Sequence, residues 1–144
     1  MQLFAMTCAD PLCFLTAADA IVEPSPWGQH EWLSRAGLTA AEQLQLVRVT
    51  MPPGKGHAFH LHPAMEEIIY VIAGRAEQWV DRASRLLGPG EIAHIPRGVV
   101  HATYNTSDTG LIFLALLSTA QFEGPALVDV SCEEPWASLR APAR

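Results

Sequence analysis

Two histidines and two glutamates stand just ahead of an apolar run in the stretch HLHPAMEEIIYVIAG, residues 60–74. His60 and His62 are two residues apart, so both side chains lie on one face if the backbone is extended. Imidazole nitrogens together with a carboxylate suit divalent iron, manganese, nickel, copper, cobalt or zinc, whereas calcium and magnesium take mostly oxygen ligands. The stretch therefore predicts a transition-metal site in which Glu66 or Glu67 is a further ligand.

A metal bound in this way needs another ligand from a second element of the chain. His101 is the best candidate, because it stands in PRGVVHATYN, where an apolar strand begins after a Pro-Gly turn. These residues together predict one divalent transition metal bound by three neutral imidazoles and one carboxylate.

The remaining histidines and one arginine are weaker candidates. His94 could line a pocket and act as a general base, or it could face the outside of the sheet, and the sequence leaves both open. His57 is three residues before His60, so a regular strand turns it to the opposite face and predicts a surface position. His30 is expected at the surface or an interface. Arg48, in the strand-like run LQLVRVTM, is expected on a solvated outer face rather than at a substrate anion.

The elements that must position these residues are short strands. Runs of strand-forming residues separated by Gly, Pro and polar turns, at spacings of about 8 to 12 residues, are typical of an antiparallel sandwich or barrel. A short helix is also predicted around residues 38–45, where Thr39 and Glu42 have capping-box spacing. The predicted strands cover residues 44–51, 67–74, 75–81, 84–88, 91–96, 99–105 and 110–118.

Residues 68–73 are apolar on both faces of their strand. One face can fill the barrel, and the other must be covered by a second layer or a second copy of the chain, which predicts a homodimer. Alternation from the metal ligands turns Ile69, Val71, Val99 and Thr103 inward. Five more residues are candidates for the pocket wall, although simple core packing is favoured for each: Met51, Phe59, Trp79, Tyr104 and Phe113.

Composition limits the class of protein. The 144 residues suffice for one domain, and a net charge of −6 with nine scattered Lys and Arg residues argues against nucleic acid as a partner. No apolar run approaches the roughly 20 residues that span a bilayer, and the N-terminus lacks the basic region of a signal peptide. Three cysteines without a CxxC pair (Cys8, Cys13 and Cys132) indicate reduced, partly buried thiols and a cytoplasmic protein.

Two sequence motifs resemble those of the cupin superfamily. The first cupin motif, G(x)5HxH(x)3–4E(x)6G, is matched from Gly54 through His60, His62 and Glu67 to Gly74. The second, G(x)5PxG(x)2H(x)3N, is matched by Gly90, Pro96, Gly98, His101 and Asn105. Every fixed position is occupied, and the two motifs span residues 54 to 105 with a short gap between them.

The resemblance implies an all-β, single-domain jelly-roll barrel that holds a metal through His60, His62, Glu67 and His101. Its motif spacing selects Glu67 as the ligand and sends Glu66 to the other face or the rim. The barrel is expected over residues 44–130. Residues 1–43 are then a segment packed on the barrel or a dimer partner, and residues 131–144 are a loose tail that Trp136 could anchor.

The function expected from the resemblance is that of an enzyme acting on a small organic molecule, with dioxygenase-like chemistry favoured. The alternatives are isomerase-type or decarboxylase-type chemistry and a non-catalytic barrel that binds a small molecule. In the catalytic case, His94 and Glu66 are the titratable residues near enough in sequence to move a proton.

Overall fold

The structure is a computed structural model, and it describes residues 12–140. The described chain is almost entirely antiparallel β-structure, with one 3-10 turn over Ala17–Asp19 and one short helix near its end. The strands are β1 (Ile21–Ser25), β2 (Gly28–Ser34), β3 (Gln45–Met51), β4 (Gly56–Leu61), β5 (Glu66–Ala73), β6 (Ala76–Val80), β7 (Ala83–Leu87), β8 (Ile92–Ile95), β9 (His101–Tyr104), β10 (Leu111–Ser118) and β11 (Val128–Asp129), and the helix is α1 (Trp136–Leu139).

The strands form two sheets, as expected for a jelly-roll barrel. The six-stranded sheet has the order β1-β2-β3-β10-β5-β8, and the five-stranded sheet has the order β11-β4-β9-β6-β7. All seven strands predicted from the sequence are confirmed, with ends shifted by up to two residues. No helix within residues 12–140 is long and apolar enough to cross a membrane.

The two strands β1 and β2, which precede the expected barrel, belong to the larger sheet. Strands β1 and β2 pair as a hairpin, and β2 then pairs with β3. The expected boundary at residue 44 therefore falls between two strands of one sheet. Cys8 and residues 1–11 lie outside the described residues, and Cys13 and Cys132 are exposed rather than partly buried.

The helix predicted around residues 38–45 is absent, and this prediction was wrong. Thr39 does not cap a helix: its hydroxyl pairs with that of Ser34 at 2.8 Å, and its backbone N–H donates to the carbonyl of Arg35 at 3.0 Å. Eight residues are too few to nucleate a stable helix without an apolar face to bury, so the segment takes turn conformations and β3 begins at Gln45.

Two hydrophobic clusters hold the barrel together. The larger contains residues of β3, β5, β8 and β10 with Met65, Ala76 and Leu87, and therefore joins the two sheets. The smaller lies under α1, where Trp136 packs on Phe59 with a ring-centroid distance of 5.4 Å. The expected loose tail is thus packed as far as residue 140. Met51, Phe59 and Tyr104 are buried core residues, and Trp79 packs against the smaller cluster.

Candidate metal centre

Three histidines converge at one point inside the barrel. Strand β4 supplies His60, His62 follows one residue after its end, and β9 begins with His101. Strands β4 and β9 pair so that His60 lies opposite His101. The potential ligand nitrogens of the three rings all lie within 4.8 Å of one another, so a single ion could contact all three.

Backbone carbonyls fix which nitrogen of each ring faces that point. Each Nδ1 lies within hydrogen-bond distance of a carbonyl oxygen, and because a carbonyl only accepts, each Nδ1 must carry the proton. The lone pair of each neutral ring is then on Nε2, which is the arrangement that orients histidine ligands around metals. The bonds join His60 to Ala58 (2.7 Å), His62 to Ala126 (2.8 Å) and His101 to Val99 (3.0 Å).

A buried carboxylate completes the donor set. Glu67 Oε2 lies 3.1 Å from His62 Nε2 and 3.0 Å from His101 Nε2. Yet Glu67 Oε2 and His101 Nε2 are both buried atoms without a hydrogen-bond partner among the described residues. Two such atoms beside each other, a carboxylate oxygen and an imidazole lone pair, are what a bound cation would satisfy. The donor chemistry therefore fits a divalent transition metal.

The charge states also suit a cation. Burial alone would raise the pKa of Glu67, but its contacts with His101 and His62 outweigh burial and hold that pKa well below its usual range. Burial lowers the pKa of His60 well below its usual value, and His57 and His101 lower it further. For His62, burial alone would lower the pKa, but the contacts with Glu67 outweigh burial and raise that pKa. At neutral pH the site therefore contains an ionised Glu67 carboxylate and a neutral His60 ring.

The three histidines and Glu67 line a cavity of about 230 Å³. This volume is below the range of drug-sized ligand sites, so a small molecule would fit. Its walls are mostly apolar. Ile69 and Thr103 line it, as their predicted inward orientation required, and Phe113, a candidate for the pocket wall, lines it as well. Val71 and Val99 belong to the adjoining core instead. No Lys or Arg within residues 12–140 lines the cavity.

Two further histidines line the cavity, although His57 was expected at the surface and His30 at the surface or an interface. His57 stacks on His60 with a centroid distance of 3.7 Å, and Trp27 stacks on its other side at 4.5 Å. The β4–β9 register shifts between His57 and His60, so the regular alternation assumed for this strand is broken and His57 turns inward. Burial lowers the pKa of His57 to about 3. His30 is carried inward by β2, a strand that the sequence did not reveal.

His94 and Glu66 lie elsewhere, which corrects their expected role in proton transfer. Strand β5 alternates strictly, with Glu67 buried and Glu66 exposed, so the two glutamates point to opposite faces. His94 Nε2 lies 2.9 Å from Glu66 Oε2 on the outer face, where the two side chains are 52% and 58% exposed. Neither residue lines the cavity that contains the histidine cluster.

Arg48 and Asn105, which were also noted in the sequence, do not line the cavity. Arg48 is on the outer face of β3 and lies 3.6 Å from Glu31, as its expected solvated position implied. Asn105, the last position of the second motif, is buried and donates to the backbone carbonyls of Met51 (3.0 Å) and Thr109 (2.8 Å). It therefore holds the turn after β9 to the end of β3.

Comparison with known proteins agrees with this fold. The cupin domain family profile (Cupin_2) matches residues 47–117. Those residues include both motifs and all four potential ligands. The chain belongs to the cupin superfamily.

Curated relatives have varied names. The chain is 30% identical over 98 residues to mannose-1-phosphate guanylyltransferase of Escherichia coli, covering 68% of this chain and 20% of the relative. It is 39% identical over 85 residues to dimethylsulfoniopropionate lyase DddQ of Ruegeria pomeroyi, covering 58% of this chain and 41% of the relative. The chain thus spans well under half the length of either relative.

Solved structures share the fold. Oxalate decarboxylase OxdC of Bacillus subtilis superposes with a TM-score of 0.68 at 20% identity, covering 80% of this chain and 31% of that one. KdgF from Halomonas sp. superposes with a TM-score of 0.65 at 20% identity, covering 76% of this chain and 94% of that one. At this level of identity the likeness concerns the barrel alone.

Proposed function

We propose that this cupin is a metal-dependent enzyme that acts on a small organic molecule, with dioxygenase-like chemistry. The observation that carries the proposal is the convergence of three histidine rings and one ionised carboxylate on the wall of a small apolar cavity. His60, His62, Glu67 and His101 are the proposed ligands of one divalent transition metal. Such a metal supplies Lewis acidity and positions open to a substrate oxygen or to dioxygen.

The cavity walls support a neutral or weakly charged substrate. Recognition of a dianion or a phosphate usually uses Arg or Lys, and none of the described residues that line this cavity is either. The apolar walls instead suit a molecule with a hydrocarbon body. This weighs against transferring to this chain the dianionic substrate in the name of oxalate decarboxylase, or the sugar phosphate in the name of the guanylyltransferase.

Proton-transfer chemistry is the second candidate, and one observation favours it. Among the described residues, three titratable side chains other than the proposed ligands line the cavity: Glu23, His30 and His57. An isomerisation, a decarboxylation or a lyase reaction would need such a group as base or acid. Glu23 lies 3.8 Å from Arg35, and its side chain is 56% exposed at the edge of the site. Oxygenation of an apolar molecule makes no such demand, so we favour it.

Metal analysis is the first test. Protein purified without chelators should contain about one equivalent of a transition metal, because the four donors form one site. His101→Ala should lose most of it, since this change removes a buried ligand. His94→Ala is the matched control, because His94 is on the outer face, and it should retain the metal. Equal metal content in the two variants, or none in the wild type after reconstitution, would contradict the proposed site.

Activity assays then separate the reaction classes. Oxygen uptake should be measured on the iron-, nickel- and copper-loaded protein with acetylacetone and catechol as trial diketone and aromatic diol. Consumption of oxygen that depends on His101 supports the dioxygenase-like proposal. A metal-loaded protein that consumes no oxygen but isomerises, cleaves or decarboxylates a small acid or sugar would favour proton transfer. Metal binding without either reaction would indicate a non-catalytic barrel that binds a small molecule.

A further inference from the structure

Two buried nitrogen atoms on β2 have no hydrogen-bond partner among residues 12–140. They are Nδ1 of His30 and Nε1 of Trp32. The two residues are two apart in one strand, so they share a face, and their rings stack at a centroid distance of 5.8 Å and an interplanar angle of 17°. Both residues line the cavity that contains the proposed metal ligands.

The neighbouring strand β3 is apolar at the positions that face these two residues. In the β2–β3 register, His30 lies opposite Val49 and Trp32 opposite Val47, and both valines are buried and line the same cavity. Buried polar atoms are nearly always paired with protein groups, water or a ligand. The indole N–H can only donate, whereas a neutral imidazole nitrogen donates or accepts according to its tautomer. The pair therefore calls for at least one acceptor atom from outside residues 12–140.

A continuous wall of aromatic rings connects this pair to the proposed metal site. Trp27 contacts His30 edge to face at a centroid distance of 5.0 Å. Trp27 also stacks on His57 (4.5 Å), and His57 in turn stacks on His60 (3.7 Å). The proposed ligands and the two nitrogens of β2 therefore face one connected cavity.

We propose that Trp32 and His30 form the recognition end of the substrate site, where they bind a neutral oxygen acceptor such as a ketone or ether oxygen. The substrate class is then a small bifunctional molecule: one oxygen group binds at the metal, a short apolar segment lies against Val47 and Val49, and a second oxygen accepts from Trp32. This inference rests on the proposed function, since it places the first oxygen group at the metal. In the free protein, water can take these bonds, and the ligand oxygen replaces it.

Matched probes test the inference directly. The affinities of levulinate and valerate, and of 5-oxohexanoate and hexanoate, should be measured by calorimetry on the zinc-loaded protein. Each pair has the same carboxylate and nearly the same shape, and only the first member has a distal ketone. The keto acid of at least one pair should bind about fivefold more tightly, as one added hydrogen bond implies. Trp32→Phe keeps an aromatic ring but removes the N–H, so it should abolish that preference.

Two controls make the result decisive. Trp136→Phe makes the same change at a tryptophan that packs on Phe59 and does not line this cavity, and it should keep the keto preference. Absence of a keto preference in the wild type, or its persistence in Trp32→Phe, would overturn the inference. The same titrations on metal-free protein, with zinc content measured beside them, separate the two proposals. A wild type that binds no zinc refutes the metal site alone, while the keto preference of the metal-free protein still decides the role of Trp32.

Discussion

At the scale of single residues, the site depends on which atom of each side chain is left free. The carbonyls of Ala58, Ala126 and Val99 occupy the Nδ1 side of the three histidines, so the Nε2 atoms are free to bind an ion. A bond to a backbone carbonyl is not removed by substituting the side chain of the residue that carries it. The ring orientations are therefore a property of the barrel rather than of one neighbouring side chain.

The two adjacent glutamates give a matched pair for the proposed ligand set. Glu67→Gln keeps the side-chain size but removes a buried negative charge beside His62 and His101, so we expect metal affinity to fall by at least about tenfold. Glu66→Gln acts on the outer face, where the bond to His94 is solvent-exposed in the single chain, and it should leave metal affinity nearly unchanged. Competition titration with a chromogenic chelator measures both. The reverse order of effects would show that the wrong glutamate has been assigned.

At the scale of strands, the sequence correctly predicts side-chain positions that follow from the regular alternation of inward and outward residues along a strand. With Glu67 turned inward, as the resemblance implied, the period of two placed Ile69 and Val71 on the buried face of β5 and Glu66 on the exposed face, as observed. The motif spacing likewise brought together His60, His62 and His101, although His101 is distant from the other two in sequence and reaches them only through the pairing of β4 with β9.

What the sequence did not predict depends on breaks in alternation and on contacts between distant strands. The register shift between His57 and His60 is such a break, and no residue between them signals it. His30 and Trp32 are placed by the pairing of β2 with β3, and β2 has too mixed a pattern to read as a strand. The cavity wall opposite the metal ligands was therefore missed, along with its two unpartnered nitrogens.

Close packing next to the register shift gives a second prediction. A Cβ at Gly56 would lie 2.1 Å from Cδ1 of Tyr104, whose ring is buried and paired across β4 and β9. Because that ring has no room to move, Gly56→Ala should lower the free energy of unfolding by about 1–3 kcal/mol. Gly110→Ala is the control, since a Cβ at Gly110 would meet no atom within 4 Å. Urea unfolding monitored by tryptophan fluorescence compares them, and equal stabilities would show that β4 can shift without cost.

The anchoring of α1 gives a prediction that depends on pH. Glu77 on β6 accepts from Arg140 and from the Trp79 indole N–H at 2.7 Å, and Arg140 also lies over the Tyr104 ring at 3.6 Å. Burial alone would raise the pKa of Glu77, but the bonds from Arg140 and Trp79 outweigh it and hold that pKa below the ordinary value of 4.5. The stabilisation is therefore complete above pH 4.5 and is lost as the pH falls through the lowered pKa.

Glu77→Gln should accordingly destabilise the protein by about 1 kcal/mol at neutral pH, as a partly exposed ion pair does. The difference from the wild type should shrink as the pH falls below 4.5, because the carboxylate of the unfolded wild type then binds a proton and the lowered pKa favours the folded state less. Glu123→Gln, a change at an exposed loop position, is the control and should show no such trend. Unfolding curves across this pH range measure both variants. A difference that stays constant down to about pH 3 would mean that Glu77 acts through packing rather than charge.

At the scale of the whole molecule, one outer face of the barrel is unusually apolar. The outer apolar patch consists of Ile68, Tyr70, Ile72, Ile92 and Leu116 on strands β5, β8 and β10, and these side chains are 37–52% exposed. They are cross-strand neighbours, with Ile68 opposite Leu116 and Tyr70 opposite Ile92. A contiguous patch of this kind on a chain of 144 residues is typical of a surface that binds another protein.

We predict that a second copy of the chain covers the outer apolar patch. A stable dimer buries about 800 Å² on each partner, which a face of three strands can provide. Sedimentation equilibrium at micromolar concentration should therefore give a dimer. Ile72→Lys places a charge within the patch and should raise the dissociation constant by at least about tenfold. Leu86→Lys makes the same change on β7 of the other sheet, where Leu86 is 55% exposed, and should have no effect. A monomeric wild type, or equal dissociation constants for the two variants, would contradict the prediction that a second copy of the chain covers the patch.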